Sequence, residues 1–322
     1  MSRIIVGVLR GGTSKEYNLS LKTGGAILSA LPESKYDTRD ILVDKSGVWH
    51  SRGIPMEAPR ALAQIDIVIN GLHGGVGEDG TVQRVLDRAG VAYAGSRAGG
   101  SQLSLNKIRA REILQEAGLR MPRAVSFNLE NELTTGEMAQ AVFSQFGPPY
   151  IVKPASEGAS YGIQFAINLL ELPDVIGDVL DEFGAVLVEE YIRGDEVSVG
   201  IVENFRRQEL YALPPAHVRI PDNTRFLGSS HHEEASAKHV CPSNFTQEEK
   251  RAIEDLARSA HRALGLSHFS RADIIQTRRG PYLLEINSLP GLYEGASMPV
   301  MLEAVGSSTR EFLEHAIALA RR

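Results

Sequence analysis

The chain offers little thiol or aromatic chemistry: among 322 residues there is one cysteine, Cys241, and one tryptophan, and aromatic side chains make up only 6%. A lone cysteine excludes an internal disulfide and fits a reducing cytoplasm. No stretch approaches the ~20 apolar residues of a membrane helix. The opening Met1-Ser2-Arg3-Ile4-Ile5-Val6-Gly7-Val8-Leu9-Arg10 has too short an apolar run for a secretory leader. Positive charge is in deficit, 34 Lys and Arg against 40 Asp and Glu, for a net charge of −6. That excludes a general nucleic-acid binder but leaves room for a local basic pocket. Internal repeats, coiled-coil heptads and low-complexity tracts are also missing. Glycine is not scarce: 31 glycines imply many tight turns, in a length that suits about two domains of ~150 residues.

Ile4 to Leu9 is a nearly continuous β-branched run, which predicts a buried parallel strand feeding the loop Gly11-Gly12-Thr13-Ser14. A helix is expected next, with Ser20 as its cap and Leu21, Leu28 and Leu31 on one face. Asp66 to Asn70 supplies a second strand with its own Gly-rich loop, Val82, Val85 and Leu86 mark a helix, and Val91 to Ala94 the next strand. Such strand-loop-helix repetition predicts an N-terminal α/β unit over residues 1–100, an open parallel, Rossmann-like sheet with ligands at the strand C-terminal ends.

From about residue 101 the pattern changes. A helix from Asn106 to Ala117 leads through Pro122 to the strand Tyr150 to Lys153, a strand from Ile163, a helix from Leu172 to Phe183, and the strand Val186 to Tyr191. We read residues 101–186 as a small α+β module. The remainder, 187–322, holds a strand from Val197 to Val202, a polar segment from about 218 to 238, a helix from about Gln247 to Leu264, a hairpin, and a closing helix from about Thr309.

The hairpin, Arg271 to Asn287, carries the densest chemistry. With a three-residue turn at Arg278-Arg279-Gly280, Thr277 faces Pro281, Asp273 faces Glu285 and Arg271 faces Asn287. Alternation then puts Arg271, Asp273, Glu285 and Asn287 on one side and Ile274, Leu284 and Ile286 on the other. Two carboxylates and an amide are hard oxygen donors that suit Mg²⁺, which completes its shell with water and phosphate oxygens. The adjacent Arg suits a phosphate or oxyanion. A bulge would shift this register by one.

Gly75-Val76-Gly77-Glu78-Asp79-Gly80 matches the dinucleotide pattern G-x-G-x-x-G only formally: its two carboxylates would repel a pyrophosphate. At a helix N-terminus Glu78 and Asp79 are dipole-favoured and suit a cationic group such as an ammonium. His73 in the same loop is either a structural hydrogen-bonding residue or a substrate contact. A Walker loop is absent. Phosphate contacts are therefore expected from Lys153 at a strand end, from the loop Glu157-Gly158-Ala159-Ser160-Tyr161-Gly162 with its backbone N–H groups and Ser160 hydroxyl, and from Lys107. Glu189, Glu190 and Glu196 around Tyr191 and Ile192 are either solvated charge or a hinge holding an adenine and a ribose.

In this order, these residues resemble the D-alanine:D-alanine ligases of the ATP-grasp superfamily over nearly the whole chain. The likeness rests on Gly11-Gly12-Thr13-Ser14-x-Glu16, His73-Gly74-x-x-Gly77-Glu78-Asp79-Gly80 and Glu285-Ile286-Asn287-x-x-Pro290-Gly291. It implies a two-part ATP-grasp fold after the first sheet, and a reaction in which one D-alanine carboxylate takes the γ-phosphoryl group of ATP and a second D-alanine amine displaces phosphate, giving D-alanyl-D-alanine for peptidoglycan precursors. By the same resemblance Asp273, Glu285 and Asn287 hold two Mg²⁺ ions (Mn²⁺ could substitute), and Lys107, Lys153, Glu157, Gly158 and Ser160 meet the phosphates. Glu189, Tyr191, Ile192 and Glu196 hold adenosine. Glu16 binds the first ammonium, with His73 and Glu78 beside that substrate. Arg271 and the Gly291 N–H stabilise the tetrahedral oxyanion. A cytoplasmic homodimer is implied as well.

The sequence departs from the family pattern in three places. Ala159 replaces the first Ser of Glu-Gly-Ser-Ser-x-Gly, His231-His232 stand where a Lys-Tyr pair is usual, and Ala296-Ser297 stand for Ser-Leu, so that Ser297 serves the second carboxylate only with a one-residue shift. The first two remove hydroxyl partners of the Glu16 position together. An imidazolium at His232 would disfavour a protonated incoming amine, which opens the alternative of D-lactate or D-serine as acceptor. His231-His232-Glu233-Glu234 is a poor metal site, because adjacent residues rarely share one tetrahedron. A non-catalytic nucleotide-binding protein of the same fold is the remaining reading.

Overall fold

The structure, a computed structural model, describes residues 3–158, 160–219 and 237–321. Ala159, His231 and His232 thus lie outside the described residues. The first sheet runs in the order β4-β3-β2-β1-β5-β6, built from β1 (Ile4–Gly11), β2 (Tyr36–Val43), β3 (Trp49–Ser51), β4 (Ile54–Met56), β5 (Ile67–Asn70) and β6 (Ala92–Ala94). β2, β1, β5 and β6 are parallel, β1, β5 and β6 at the apolar runs that predict strands, and β3 and β4 extend the sheet as an antiparallel pair. β2 pairs with β1 although its Asp37-Thr38-Arg39-Asp40 stretch gives it no apolar signature. Strand order therefore differs from reading order.

The helix after β1, α1 (Tyr17–Ala30), begins three residues before Ser20, with Glu16 at its N-cap position. Ser20 is not its cap. The inward face is Leu19, Ser20, Thr23, Gly24 and Ile27; Leu31 is buried, Leu28 lies at the rim and Leu21 is half-buried outside it. The expected face was rotated because polar Ser20 and Thr23 turn toward the His73 loop. α2 (Ala58–Ala61) and α3 (Thr81–Ala89) complete the connections between strands, and α4 (Ala98–Leu105) and α5 (Lys107–Glu116) lead out of the first sheet.

A second sheet, β7-β10-β8-β9, consists of β7 (Ala124–Asn128), β8 (Tyr150–Pro154), β9 (Gln164–Ala166) and β10 (Ala185–Glu190), antiparallel throughout. α6 (Thr135–Gln145) and α7 (Leu172–Phe183) cover one face, and Val142, Tyr150, Val152, Leu172, Ile176 and Val188 form its core. β9 starts one residue after the expected Ile163, and the boundary expected at residue 186 falls inside β10.

The third sheet runs β14-β13-β11-β15-β16, with β11 (Asp195–Glu203), β13 (Ala216–Arg219), β14 (Lys238–Val240), β15 (Phe269–Thr277) and β16 (Gly280–Asn287); β12 (Leu210–Ala212) pairs with β11. α8 (Gln247–Ala263) starts with a capping box, in which Thr246 accepts from the Glu249 N–H and the Glu249 side chain reaches back. α8 lays Ile253, Ala257 and Ala260 on Val199, Ile274, Leu283 and Ile286. Cutting a buried Ile such as Ile274 to Ala here would cost about 2–5 kcal/mol. α9 (Ser297–Ala304) and α10 (Thr309–Ala320) return the chain to the first sheet, where Met301, Phe312 and Ile317 pack with Val6, Ile27 and Ile69. The two ends of the chain share one core.

The β15-β16 hairpin corrects one expectation and preserves the important one. Its turn has two residues, Arg278-Arg279, so Thr277 faces Gly280 and not Pro281. A bulge beyond Asp273/Ile274 absorbs the extra residue, and Asp273 still faces Glu285 and Arg271 still faces Asn287. Leu283 takes the core position expected for Leu284, and Leu284 turns to the opposite side.

Candidate active site

A cavity of about 420 Å³ lies between the second and third sheets. β8 gives it Ile151 and Lys153, β10 gives Glu189 and Glu190, and the following loop gives Tyr191 and Ile192. β11 gives Glu196 and Ser198, the hairpin gives Arg271, Asp273, Ile275, Leu284 and Glu285, and the segment after it gives Gly291, Tyr293, Ala296 and Ser297. Ser160 also reaches it, with φ at 56° in the left-handed region, where a non-glycine residue is strained. One wall is thus apolar (Ile151, Tyr191, Ile192, Ile275, Leu284) and the floor is charged. Ile151, Ile275 and Leu284 were not among the expected contacts. Leu284 could not be: only the bulge turns it inward.

The charges on the floor are matched in pairs. Arg271 grips Asp273 through Nε to Oδ1 at 2.9 Å and Nη2 to Oδ2 at 2.7 Å. Ser198 donates to Asp273 Oδ1 at 2.8 Å and Asn287 Nδ2 to Oδ2 at 3.0 Å, so both oxygens carry two partners. Lys107 Nζ lies 3.1 Å from Glu285 Oε2 and donates to the Glu157 carbonyl at 2.6 Å, which ties the loop at Glu157 to the hairpin. Burial works against ionising Glu285, but Lys107, Lys153 and Arg271 overcome it and hold its carboxyl down at about 2. Glu196 is pushed up to about 8, by burial first and then by the charges of Asp273 and Glu285.

Behind this floor lies an ion triad that the sequence did not announce. Lys153 Nζ is 2.8 Å from Glu189 Oε2 and Arg111 Nη1 is 3.2 Å from Glu189 Oε1, with all three side chains at most 7% exposed. Glu189 is therefore the counter-ion of the Lys153 amine, in addition to lining the cavity. The sign of it in the sequence was faint: one Arg among several charged residues on a helix whose buried face is Ala110, Arg111 and Leu114.

The donor set fits Mg²⁺. Asp273 and Glu285 sit directly across the hairpin, and Asn287, whose Nδ2 is spent on Asp273, has its Oδ1 left to ligate.

Glu16, His73 and Glu78 form a second group next to the cavity. Glu16 Oε1 sits 2.3 Å from where a side chain on Gly158 would begin and 2.6 Å from the same point on Gly74, so only glycines allow the carboxylate between the two loops. Burial and the neighbouring Glu78 push Glu16 up to about 7, against the pull of His73 and Lys107. Glu78 is buried and accepts from the Gly74 N–H at 2.9 Å, with His73 Nδ1 at 3.8 Å. Asp79 does not face this group; its carboxylate accepts from the Thr81 N–H at 2.7 Å at the start of α3. His73 is held on three sides. Its N–H donates to Ser20 Oγ, its Nε2 meets Thr23 Oγ1 at 2.7 Å, and its carbonyl accepts from Ser14 at 2.6 Å. Ser14, Ser20 and Thr23 were missed as positioning residues, because their partner lies fifty or more positions away.

The expected residues thus fall into three places. Lys153, Ser160, Glu189, Tyr191, Ile192, Glu196, Arg271, Asp273, Glu285, Gly291 and Ser297 share the cavity, and Lys107, Glu157 and Asn287 are tied to it by contact. Glu16, His73, Glu78 and Gly158 form the adjacent group. His232 is outside the described residues.

Comparison with known proteins gives this arrangement its context. Family models described as D-ala D-ala ligase C-terminus and N-terminus match residues 113–318 and 50–96. The chain is 33% identical over 320 residues to the D-alanine--D-alanine ligase of Geobacter sulfurreducens, covering 98% of this chain and 93% of that one. It is 31% identical to that of Desulforudis audaxviator, covering 98% of each. Among solved structures, the VanG D-Ala:D-Ser ligase of Enterococcus faecalis superposes with a TM-score of 0.84 at 26% identity, over 99% of this chain and 100% of that one. The D-alanine--D-alanine ligase of Bacillus anthracis complexed with ATP gives 0.80 at 25%, over 98% and 97%.

Proposed function

The chain belongs to the D-ala D-ala ligase family, and from that premise we propose that it joins two D-alanine molecules through a D-alanyl phosphate, with ATP cleaved to ADP and phosphate. The observation that carries this reading is the single cavity in which Lys153, Arg271, Asp273, Glu285 and the Gly291 amide converge below an apolar wall.

In the first step the carboxylate oxygen of one D-alanine attacks the γ-phosphorus of ATP and the bond to ADP breaks. In the second the free amine of another D-alanine attacks the acyl carbon, and the tetrahedral intermediate collapses with loss of phosphate and a proton. Negative charge develops in both steps, so fixed positive groups stabilise them. In our reading Lys107 and Lys153 take phosphate oxygens, and Lys107 is bonded to the Glu157 carbonyl next to Gly158. Tyr191, Ile192 and the added Ile151 and Leu284 embrace the adenine, while Glu196 accepts from a ribose hydroxyl. Mg²⁺, when bound by Asp273, Glu285 and Asn287, would supply charge neutralisation between the phosphates. Glu16 receives the first ammonium, with His73 and Glu78 alongside. Arg271 and the Gly291 N–H stabilise the oxyanion, and Ser297, buried at the start of α9, takes the second carboxylate.

The three units, 1–100, 101–186 and 187–322, are part of the same proposal, with the middle one as a lid over ATP. So are a cytoplasmic homodimer and a role in peptidoglycan synthesis. Among the described residues no helix is long and apolar enough to cross a membrane.

A second acceptor deserves its own arm of the test, since VanG, described as a D-Ala:D-Ser ligase, is among the structures this chain resembles. The protein is incubated with ATP, Mg²⁺ and D-alanine, alone and with D-serine or D-lactate, and products are identified by mass. D-alanyl-D-alanine with stoichiometric phosphate is expected. Phosphate release with none of these substrates would leave only the non-catalytic nucleotide-binding reading, and a predominant mixed product would reassign the acceptor.

A further inference from the structure

We infer that Tyr293 walls the end of the cavity where the second substrate enters, and that its ring sets the size of D-amino acid accepted there. The inference rests on the ligase reading and deepens it at one subsite.

Tyr293 lines the cavity together with Arg271, Gly291 and Ser297. Its ring folds back on Gly291 so closely that a side chain at 291 would begin 2.7 Å from Tyr293 Cε1. The segment is anchored in between: Leu292 is buried, and its N–H reaches Thr23 Oγ1, the hydroxyl that also holds His73, at 3.5 Å. Gly291 and Tyr293 are thereby held against one another, with Lys22 Nζ of α1 6.0 Å from the ring centroid on the N-terminal side. Burial raises the phenol above its ordinary value; the Arg271 guanidinium opposes that shift and the Glu16 carboxylate adds to it.

An amine that attacks an acyl carbon beside the Gly291 amide must approach within about 3–3.5 Å of it. Whatever carries that amine lies along the ring that covers Gly291. A methyl side chain finds a flat apolar face there, while a longer chain meets the ring. Position 159, next to Gly158 in the sequence, is an alanine and supplies no hydroxyl.

The test is steady-state kinetics with separate donor and acceptor KM values, and mass analysis of products from D-alanine mixed with D-2-aminobutyrate or D-norvaline. For Tyr293→Leu we expect the acceptor KM for D-alanine to rise about tenfold, as for loss of a close-packed ring. Mixed dipeptides should appear, with donor KM and ATP KM within about twofold of wild type. Tyr293→Trp narrows the subsite and should raise the acceptor KM without admitting the larger acids, and Tyr293→Phe should keep the wild-type size preference. Unchanged acceptor KM and product spectrum in both the Leu and Trp variants would overturn the inference, as would equal changes at the donor site. If Tyr293→Leu does not fold, the Trp variant alone decides. Absence of dipeptide from the wild-type protein would overturn the ligase reading and this inference together, whereas dipeptide from wild type with indifferent variants overturns the inference alone.

Discussion

At the hairpin, the half-buried Asp273 and Glu285 are matched by donors: each oxygen of Asp273 has at least two, and Glu285 is held down at about 2 by three cations. At the N-terminal loops, Glu16 is enclosed by two glycines and faces another carboxylate, and it is pushed up to about 7. Both regions bury carboxylates, but one arrives with its compensation built in and the other waits for it. A pre-paired floor suits groups that must stay fixed while phosphates come and go. A carboxylate left near neutrality suits a contact completed by an incoming ammonium. Glu196 belongs to the second kind, although it sits beside the first.

The largest effect should come from breaking the floor. Glu285→Ala is expected to lower kcat at least ~100-fold, on the scale of losing one fixed transition-state contact, with a cooperative melting transition retained. Near-normal turnover in that variant would mean the floor is not the reactive centre. Next is the triad behind it: Arg111→Met leaves Glu189 with one partner and should destabilise the fold by about 3–5 kcal/mol. Urea unfolding measures this, and a loss under ~1 kcal/mol would show that the triad is not the tight unit its geometry describes.

Glu16 tests the other region through pH. If its carboxylate must be ionised to receive an ammonium, the donor KM should rise as pH falls through about 7, up to tenfold per unit below it, in assays between about pH 6 and pH 9. A donor KM flat across that window would remove Glu16 from the ammonium site. The same shift has an opposite signature in stability. A carboxyl raised in the fold contributes stability below its unfolded value near 4.5 that is lost as pH rises toward 7, because there the folded state binds more protons. Glu16→Gln should therefore melt higher than wild type at pH 8 and show less advantage at pH 5.

The smallest effect is expected at Lys15, whose Nζ pairs with Glu182 at 2.6 Å and lies 4.1 Å from the Tyr161 ring centroid, joining the first loop to the second sheet's cover. Both partners are about half exposed, so Lys15→Met should change the ATP KM by a few-fold at most, the range of a surface ion pair. A drop in kcat comparable to that of Glu285→Ala would show that contact between the units limits turnover.

The hairpin was legible because its information is local. Alternation delivers Arg271, Asp273, Glu285 and Asn287 to one face whether the turn has two residues or three, since the bulge at Leu284 restores the pairing. α7 and α8 were legible for the same reason, with apolar periodicity and end signals inside a single segment. β2 was not, because the polar Asp37-Thr38-Arg39-Asp40 in its middle hides a strand whose buried Tyr36, Ile41 and Val43 lie at its two ends. Nor were Ser20, Thr23 and Arg111: each meets a partner at least fifty residues distant, and serine, threonine or arginine on a helix ordinarily faces water.

What the sequence by itself determined is therefore the kind of chemistry: hard oxygen donors in cross-strand register, lysines at the strand and helix ends, and glycines where two loops must meet a carboxylate. Only the tertiary structure decided which charges are compensated. Whether a carboxylate is held at about 2, 7 or 8 depends on how deeply it is buried and on which cations the packing of three sheets brings beside it. That distance is not encoded in any one segment, and it separates the fixed floor of the site from the part that responds to its substrates.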